Sequence, residues 1–371
     1  MSKTLQDYAT LINDTIQSNE INHYITTDNM CQNLGGIDTF KNINIPQGKV
    51  RSFQKDDILL SNIRLYFRKV YRAKQKGGCS SDVLVFRAKH IDSATLFAIL
   101  SSQIFTDYAC SGSQGSKMPR GNKTHMMDFK IPTINFTIAK IFNSIQNKIE
   151  NNHKINKLLH KILELLYEQY FVRFDFLDEN NKPYQTSGGK MKFSKELNRL
   201  IPNDFEVKTL GELTQLKVGN KNANHSSNQG KYPFFTCSNN PLRCETYQFE
   251  GKHIIISGNG NFYVTHYDGK FDAYQRTYVV NPNNPNHYVL IYLFVKSYTN
   301  YLKLQSRGSI IKFITKSDIE NIKIVLPNLK TYAKWNNVLK MIENNNQSTQ
   351  TLTALRDFLL PLLLKQQVKP Q

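Results

Sequence analysis

The chain has 371 residues, and 48 Lys and Arg against 29 Asp and Glu give a formal net charge of +19. This length suggests about two domains of roughly 100–200 residues each. The hydrophobic fraction of 40% excludes an intrinsically disordered chain. A positive excess of this size suits a polyanionic partner such as a nucleic acid.

Membrane and secreted classes are excluded next. No segment approaches the roughly 20 consecutive apolar residues of a membrane span, and residues 1–15 lack the apolar core of a signal peptide. The five cysteines are odd in number and form no C-x-x-C pair, so the pattern predicts neither a disulfide framework nor a metal site. We therefore expect a cytoplasmic protein.

The chain contains an internal repeat. The segment 149–152 recurs as 342–345, and Gly115-Ser116 recurs as Gly308-Ser309 at the same offset of 193 residues. Upstream the offset drifts to 196, where Phe53 matches Phe249. Several matches in one order predict a unit of roughly 120 residues that occurs twice.

Both copies have the same predicted anatomy. Short β-like runs separated by Gly, Asn and Ser come first, followed by a shorter helix, a Gly-Ser turn, a short strand and a long helix. The predicted strands are 57–60 and 83–86 in the first copy and 253–256 and 277–280 in the second, with shorter helices near 93–108 and 287–304.

The two long helices carry a heptad pattern. Their apolar residues recur at alternating steps of four and three, which is the period of a coiled coil. Both seams turn polar midway, and this match predicts that the helices pair as an antiparallel coiled coil, each about 50 Å long. Two independent core helices are the alternative. The predicted seam is Phe142, Ile145, Ile149, Asn152, Leu159, Trp335, Val338, Ile342, Asn345 and Leu352.

The predicted fold class is α+β, with two repeated mixed α/β domains and two long helices. The predicted segments are a first globular domain 1–135, a helix 136–173, an exposed connector 174–204, a second globular domain 205–327 and a helix 328–366. The first globular domain holds 17 basic and 11 acidic residues and the second 14 and 8, an excess of six in each. Equal excess suggests two similar binding modules.

No catalytic motif is present in the sequence. Gly251-Lys252 is followed by His253, so a phosphate-binding P-loop is absent, and Asn281-Pro282-Asn283 is not the motif of an amino-methyltransferase. Gly258-Asn259-Gly260 favours a β-turn over a nucleotide site. We therefore predict no catalytic residue and no metal ligand.

Basic, amide and aromatic residues form candidate DNA contacts in both copies, because such groups reach phosphates and base edges. An ordinary solvated surface is the alternative for each one. The candidates in the first copy are Asn62, Arg64, Tyr66, Arg68, Lys69, Arg72, Lys117, Arg120, Asn122 and Lys123. Those in the second are Asn259, Asn261, Tyr274, Gln275, Arg276, Arg307, Ser309 and Lys312.

With these residues in view, the chain resembles the specificity (S) subunit of a type I restriction–modification system. The order of domain, helix, domain, helix fits, and the resemblance runs from about residue 22 to 366. The first copy lacks the proline-containing entry seen at 200–213. The short sequence segments that resemble the family are 56–68, 78–86, 181–192, 200–213 and 308–312.

The resemblance implies a non-catalytic, sequence-specific DNA-binding subunit that reads a bipartite, asymmetric target, with the helices as a spacer. It also implies two methyltransferase (M) subunits that use S-adenosylmethionine, and restriction (R) subunits that use ATP and magnesium. The alternative is a self-sufficient DNA methyltransferase or nuclease with duplicated DNA-reading domains. A coiled-coil adaptor with no DNA role is a third possibility, against which the charge excess of each copy weighs.

Overall fold

The computed structural model describes residues 3–39, 41, 43–131, 134–327, 332 and 334–364. The chain divides into two compact units, Met1–Ile155 with Asn344–Gln371 and Asn156–Glu343. Each unit therefore combines one copy of the repeat with part of both long helices, and the boundary lies within the helices instead of in the connector 174–204.

The first unit contains two four-stranded sheets, with strand orders β1-β8-β5-β6 and β2-β4-β7-β3, and one parallel pair, β3 with β7. Its elements are α1 (Leu5–Tyr8), β1 (Ala9–Ile12), β2 (Thr15–Gln17), β3 (Tyr24–Ile25), β4 (Lys49–Phe53), β5 (Ile58–Ser61), β6 (Val70–Arg72), β7 (Gly77–Cys79), β8 (Val83–Ala88), α2 (Ser93–Ser101), α3 (Gln103–Ser111) and α4 (Lys123–Met127).

The central strands β5 and β8 are buried on both faces. Ile58 and Phe86 point into a core shared with α2 and α3, whereas Leu59 and Val85 point into a second core with Phe53 of the other sheet. Successive side chains of a strand alternate between faces. This explains why these strands are continuous apolar runs and do not alternate with polar residues.

The second unit repeats this plan. Its main sheet has the order β12-β18-β15-β16, and β14-β13-β17 forms a smaller sheet. Its elements are β9 (Met191–Ser194), β10 (Arg199–Pro202), β11 (Glu206–Thr209), α6 (Leu210–Leu213), β12 (Thr214–Val218), β13 (Tyr232–Phe235), β14 (Leu242–Cys244), β15 (Lys252–Ser257), β16 (Val264–Asp268), β17 (Asp272–Ala273), β18 (Thr277–Pro282), α7 (Tyr288–Gln305), α8 (Lys316–Glu320) and β19 (Lys323–Leu326).

The strand registers confirm the predicted repeat. Ser61 pairs with Val83 in the first unit, and Ser257 pairs with Thr277 in the second. The matched serines are 196 residues apart, as the sequence offset predicts. The two sheets therefore have the same strand order and the same pairing.

The first residues of the chain also belong to the repeat, although sequence comparison left them unmatched. The Thr4 backbone N–H donates to Asp7 Oδ2 at 2.7 Å, and the Thr209 N–H donates to Glu212 Oε2 at 2.6 Å. Both contacts are capping boxes that begin a one-turn helix before the first strand of the main sheet. These hydrogen bonds lower the pKa of both carboxyl groups.

The first long helix is confirmed as α5 (Phe136–Tyr167), which continues as a wider π-helical turn, Glu168–Val172. The second is α9 (Trp335–Leu359), followed by the 3₁₀ turn Leu360–Leu364. Residues 328–331, 333, 365 and 366 of the predicted second helix lie outside the described residues. Every predicted seam residue is buried or half-buried, whereas Ile141 and Leu158 of α5 are exposed. Among the described residues no helix is long and apolar enough to cross a membrane.

Within each unit the two helices contact each other in antiparallel fashion. In the first unit Gln146 contacts Arg356 at 3.2 Å, and the Asn152 amide donates to Thr349 Oγ1 at 3.1 Å. In the second, the Asn156 amide donates to the Ile342 carbonyl at 3.4 Å. Later residues of α5 contact earlier residues of α9, so the two helices run in opposite directions.

The expected exposed connector 174–204 contains more structure than predicted. Strands β9 and β10 pair as a hairpin, and Ile201 is buried with Phe174, Phe205 and Val325. The sequence showed little apolar periodicity here because the buried residues come from both ends of the segment and from β19. The segment is therefore a packed part of the second unit.

Candidate nucleic-acid interface

In each unit a hairpin pairs with the turn that follows the central strand of the main sheet. In the first unit the Arg64 N–H donates to the Pro119 carbonyl at 2.9 Å, and the Gly121 N–H to the Asn62 carbonyl at 3.1 Å. We call residues 62–69 and 114–123 together the first junction surface. The structure thus brings together two sets of candidates that are about 50 residues apart in the chain.

The second unit builds the same junction. The Gly260 N–H donates to the Lys312 carbonyl and the Ile314 N–H to the Gly258 carbonyl, both at 2.9 Å. The Gly258 N–H in turn donates to the Arg276 carbonyl at 2.7 Å, which adds the turn before β18. We call residues 258–263, 274–276 and 307–313 the second junction surface.

Each hairpin has a glycine in its turn. Gly115 has φ +98° and Gly308 has φ +99°, in the left-handed region that only glycine adopts without strain. A Cβ on Gly308 would lie 2.3 Å from the Ile311 carbonyl oxygen. The Gly-Ser matches found in the sequence therefore mark a backbone requirement of the turn.

Several candidates of the first junction surface face solvent. Tyr66 is 53% exposed, and Lys117 and Lys123 are exposed. Arg120 forms a two-point ion pair with Asp82, at 3.1 and 3.3 Å, yet its side chain stays largely accessible. Arg64 donates to the Lys117 carbonyl at 3.2 Å. These groups can reach a ligand without unfolding the junction.

Three other basic candidates have partners inside the unit. Arg68 donates to the Ser101 carbonyl at 2.8 Å, and Lys69 donates to the Thr27 carbonyl at 2.6 Å. Arg72 pairs with Asp56 and also donates to Asn143 of α5. Burial lowers the pKa of both Arg68 and Lys69. Their DNA contacts stay a prediction, and the structure gives each of them a clear packing role.

The amides divide between buried and capping positions. Asn62 and Asn259 are largely removed from solvent, and each has an Oδ1 atom without a hydrogen-bond partner among the described residues. Asn122 is the N-cap of α4, where its Oδ1 accepts from the His125 N–H at 3.1 Å. Asn261 is exposed and donates to the Tyr263 hydroxyl at 3.1 Å.

The remaining candidates of the second junction surface lie at its solvent side. Arg307 pairs with Asp318 at 3.0 Å, and its backbone makes two hydrogen bonds with Phe313. Tyr274 is half-buried, and the other members are exposed: Gln275, Arg276, Ser309 and Lys312.

Sequence reasoning missed the apolar tip of the second hairpin. Ile310 is 95% exposed, and Ile311 is exposed beside it, between Ser309 and Lys312. It also missed the acidic partners Asp82 and Asp318. Two isoleucines close behind a glycine turn were a sequence signal for the apolar tip. No such signal marked the acids, because Asp82 is distant in sequence from Arg120 and Asp318 lies on a later helix than Arg307.

Comparison with known proteins finds similarity to one family. A family model described as "Type I restriction modification DNA specificity domain" matches residues 202–355. The specificity subunit of the type I restriction enzyme EcoDI from Escherichia coli is 38% identical over 132 residues, which cover 34% of this chain and 28% of that protein. Residues 202–355 thus match the specificity domain of type I restriction–modification systems, and the chain is similar to specificity subunits of those systems.

Two further comparisons extend the similarity over more of this chain. The MjaIX specificity subunit of Methanocaldococcus jannaschii is 24% identical over 301 residues, covering 72% of this chain and 67% of that protein. The crystal structure of the S subunit from M. genitalium superposes with a TM-score of 0.63 at 16% identity, over 99% of this chain and 96% of that one. The fold is therefore shared across both repeats, and the predicted resemblance is confirmed.

Proposed function

We propose that this chain is the DNA specificity subunit of a type I restriction–modification system and recognises a bipartite, asymmetric DNA sequence, with each junction surface contacting one half of it. The observation that carries the proposal is the duplication of one junction, a glycine-turned hairpin bonded to the turn after a central strand. Each copy presents exposed Lys, Arg and amide groups. Arginine suits guanine O6 and N7, and asparagine or glutamine suits adenine N6 and N7.

The ion pairs of the hairpins favour this role. Asp82 holds Arg120 and Asp318 holds Arg307, in each case with part of the guanidinium free. A preoriented side chain loses less conformational entropy on binding. Among the described residues, no such ion pair orients Lys117, Lys123 or Lys312. These lysines would contact phosphates, which position the protein without reading sequence.

The two halves of the target should differ because the two surfaces differ. The backbone hydrogen bonds of the two junction surfaces define which residues are equivalent. By these bonds Arg64 corresponds to Gly260, Pro119 to Lys312 and Arg120 to Phe313. Residues at these positions present different donors to a groove. A symmetric target would require equal sets, so we infer an asymmetric one.

The chemistry would lie on partner subunits. We infer that this chain carries no catalytic group and positions two methyltransferase subunits with S-adenosylmethionine, and restriction subunits with ATP and magnesium. Such a complex would act on DNA in the cytoplasm. A DNA methyltransferase or nuclease activity of the chain alone is the alternative, and incubation with DNA, magnesium and S-adenosylmethionine tests it.

The direct test is DNA binding by the purified chain, with and without its methyltransferase subunit, measured by fluorescence anisotropy at several salt concentrations. Methylation mapping of cells that hold both subunits identifies the target. We expect weak, salt-sensitive binding by the chain alone, because phosphate contacts release counterions, and a sharp preference for the mapped target in the complex. Absence of binding at low salt in both samples would overturn the proposal.

A further inference from the structure

A cluster of three side chains of the types that ligate metal ions lies at the smaller sheet of the second unit. His225 ends the 3₁₀ turn Ala223–His225, Cys244 ends β14, and Asp272 begins β17. The three residues come from segments separated by up to 47 positions in sequence. The three residues form no spacing motif in the sequence, so the cysteine pattern predicted no metal site.

Strand register explains the convergence. Cys244 pairs with Tyr232 of β13, and Asp272 pairs with Phe234 of the same strand. Residues two apart on a strand share a face, and directly paired residues share it with them. Cys244 and Asp272 therefore lie on one face, and the His225 ring packs edge-on against Phe234, with centroids 5.4 Å apart.

The ligand atoms are close enough for one ion. One ligand atom from each residue lies within 4.8 Å of the others, and His225 Nε2 is 3.2 Å from Asp272 Oδ2. Zinc bonds of about 2.0–2.3 Å place tetrahedral ligands roughly 3.3–3.8 Å apart. The sulfur would need to move by about an ångström, which a side-chain rotation allows.

Burial gives a second, independent indication. Asp272 and Cys244 are fully buried, and Asp272 Oδ1 has no hydrogen-bond partner among the described residues. The other oxygen, Oδ2, accepts from the Thr246 hydroxyl at 2.5 Å. A buried carboxylate oxygen without a partner is costly, and buried charges are usually paired or bound to a metal.

We propose that His225, Cys244 and Asp272 bind one zinc-class transition-metal ion, with water at the fourth position. Nitrogen, sulfur and oxygen donors together suit zinc and its neighbours, and the thiolate disfavours magnesium and calcium. The ion would fasten the turn at 223–225 to β14 and β17. Its role is structural, and the inference does not depend on the proposed DNA target.

The competing arrangement is a metal-free contact. Burial raises the pKa of the Cys244 thiol, and the nearby Asp272 charge adds to this. A neutral thiol then donates to the Thr246 carbonyl at 3.2 Å, and His225 pairs with Asp272. A bound cation reverses the preference of the sulfur, because metal coordination deprotonates a thiol.

The first repeat supplies an internal control. There β3 pairs in parallel with β7 as β13 does with β17, and Gly78 occupies the position of Asp272. Gly78 has no ligand atom in its side chain. Cys79, the next residue, is buried like Cys244, so a variant at Cys79 tests the effect of removing a buried thiol without touching the proposed site.

Cobalt titration of the full, untagged chain after removal of metals tests the proposal. We expect about one equivalent of Co²⁺ to bind, with a thiolate-to-cobalt absorption band and visible bands typical of tetrahedral coordination, both bleached by zinc. Cys244→Ser should abolish the thiolate band, and Asp272→Asn should weaken cobalt binding on the order of a hundredfold. Cys79→Ser should leave the spectrum unchanged.

Limited proteolysis supplies a readout that needs no spectrum. Zinc should slow cleavage within 219–231 in the wild-type chain and in Cys79→Ser, but not in Cys244→Ser. A chain that binds no cobalt and shows no zinc protection would overturn the proposal. A cobalt band that persists in a folded Cys244→Ser variant, as judged by circular dichroism, would overturn it as well.

Discussion

The main sheets of the two repeats have the same strand order and the same strand registers, yet equivalent positions carry side chains with different chemistry. Ile58 pairs with Arg72 in the first sheet, and Ile254 pairs with His266 in the second. The Arg72 guanidinium is bonded to Asp56 and Asn143, whereas the His266 ring is largely buried. One backbone plan thus supports two chemically distinct interiors and two distinct junction surfaces, which is what the proposed asymmetric target requires.

The largest expected effect tests whether the units are separate. Phe142 and Trp335 match in sequence, but Phe142 packs on Phe97 in the first unit and Trp335 on Phe171 in the second. Substituting either by alanine should destabilise its own unit by about 3–5 kcal/mol, through lost burial and a cavity. Hydrogen exchange followed by mass spectrometry measures this peptide by peptide.

We expect Phe142→Ala to raise exchange in β5 and β8, and Trp335→Ala to raise it in β15 and β18. Leu158→Ala changes an exposed residue of α5 and serves as the control. If each variant raised exchange equally in both sheets, the two repeats would form a single cooperative unit and would not be separate.

Acid should destabilise the second unit before the first. Burial, reinforced by His160, Lys252 and Lys296, lowers the pKa of His266 from 6.5 to about 3. Between about pH 6.5 and pH 3, His266 binds a proton in the unfolded chain but not in the folded one. The free energy of unfolding therefore falls as the pH drops through this range. The loss is roughly 5 kcal/mol at most, at about 1.4 kcal/mol per pKa unit.

Hydrogen exchange between pH 7 and pH 4, corrected for the intrinsic rate, measures this loss. Glu343 lies 3.6 Å from His266, and burial also lowers the pKa of His160, so His266→Gln should remove only part of the dependence. His125→Gln, in the first unit, should leave the second unit unaffected. If the His266→Gln variant kept the full acid sensitivity, groups other than His266 would be responsible for the loss of stability.

How far the sequence could predict the molecule depends on the range of the interactions. Heptad spacing located the helical seam, because periodicity is a local property. The offset of 193–196 residues located the repeat but not its start, since Thr4 and Thr209 are 205 residues apart. The partners of Arg68 and Lys69 and the cluster around Asp272 depend on tertiary contacts between distant segments. No local pattern encodes these contacts.

Reading residues should affect one half of the target at a time. Arg307→Ala should weaken discrimination in one half-site by about 1–3 kcal/mol per base pair read, and Arg120→Ala should do so in the other. Lys192→Ala, on the exposed β9 hairpin, is the matched loss of charge outside both junction surfaces. Methylation mapping shows which base positions relax. Relaxation of both halves by one variant would contradict independent reading.

The smallest expected effect compares the two hairpin glycines. Both have a φ near +100°, so alanine is strained at either position by about 1–2 kcal/mol. At Gly115 the nearest atom to an added Cβ is the Met118 oxygen at 3.6 Å, whereas at Gly308 the Ile311 oxygen lies at 2.3 Å. Gly308→Ala should therefore distort its hairpin more and impair recognition of its half-site, while Gly115→Ala should weaken only the stability of its turn. Proton exchange at the Arg307 and Phe313 amides, and at Gln114 and Arg120, reports each hairpin directly. Equal disruption by the two variants would show that backbone strain, and not the close approach of Ile311, sets the requirement for glycine.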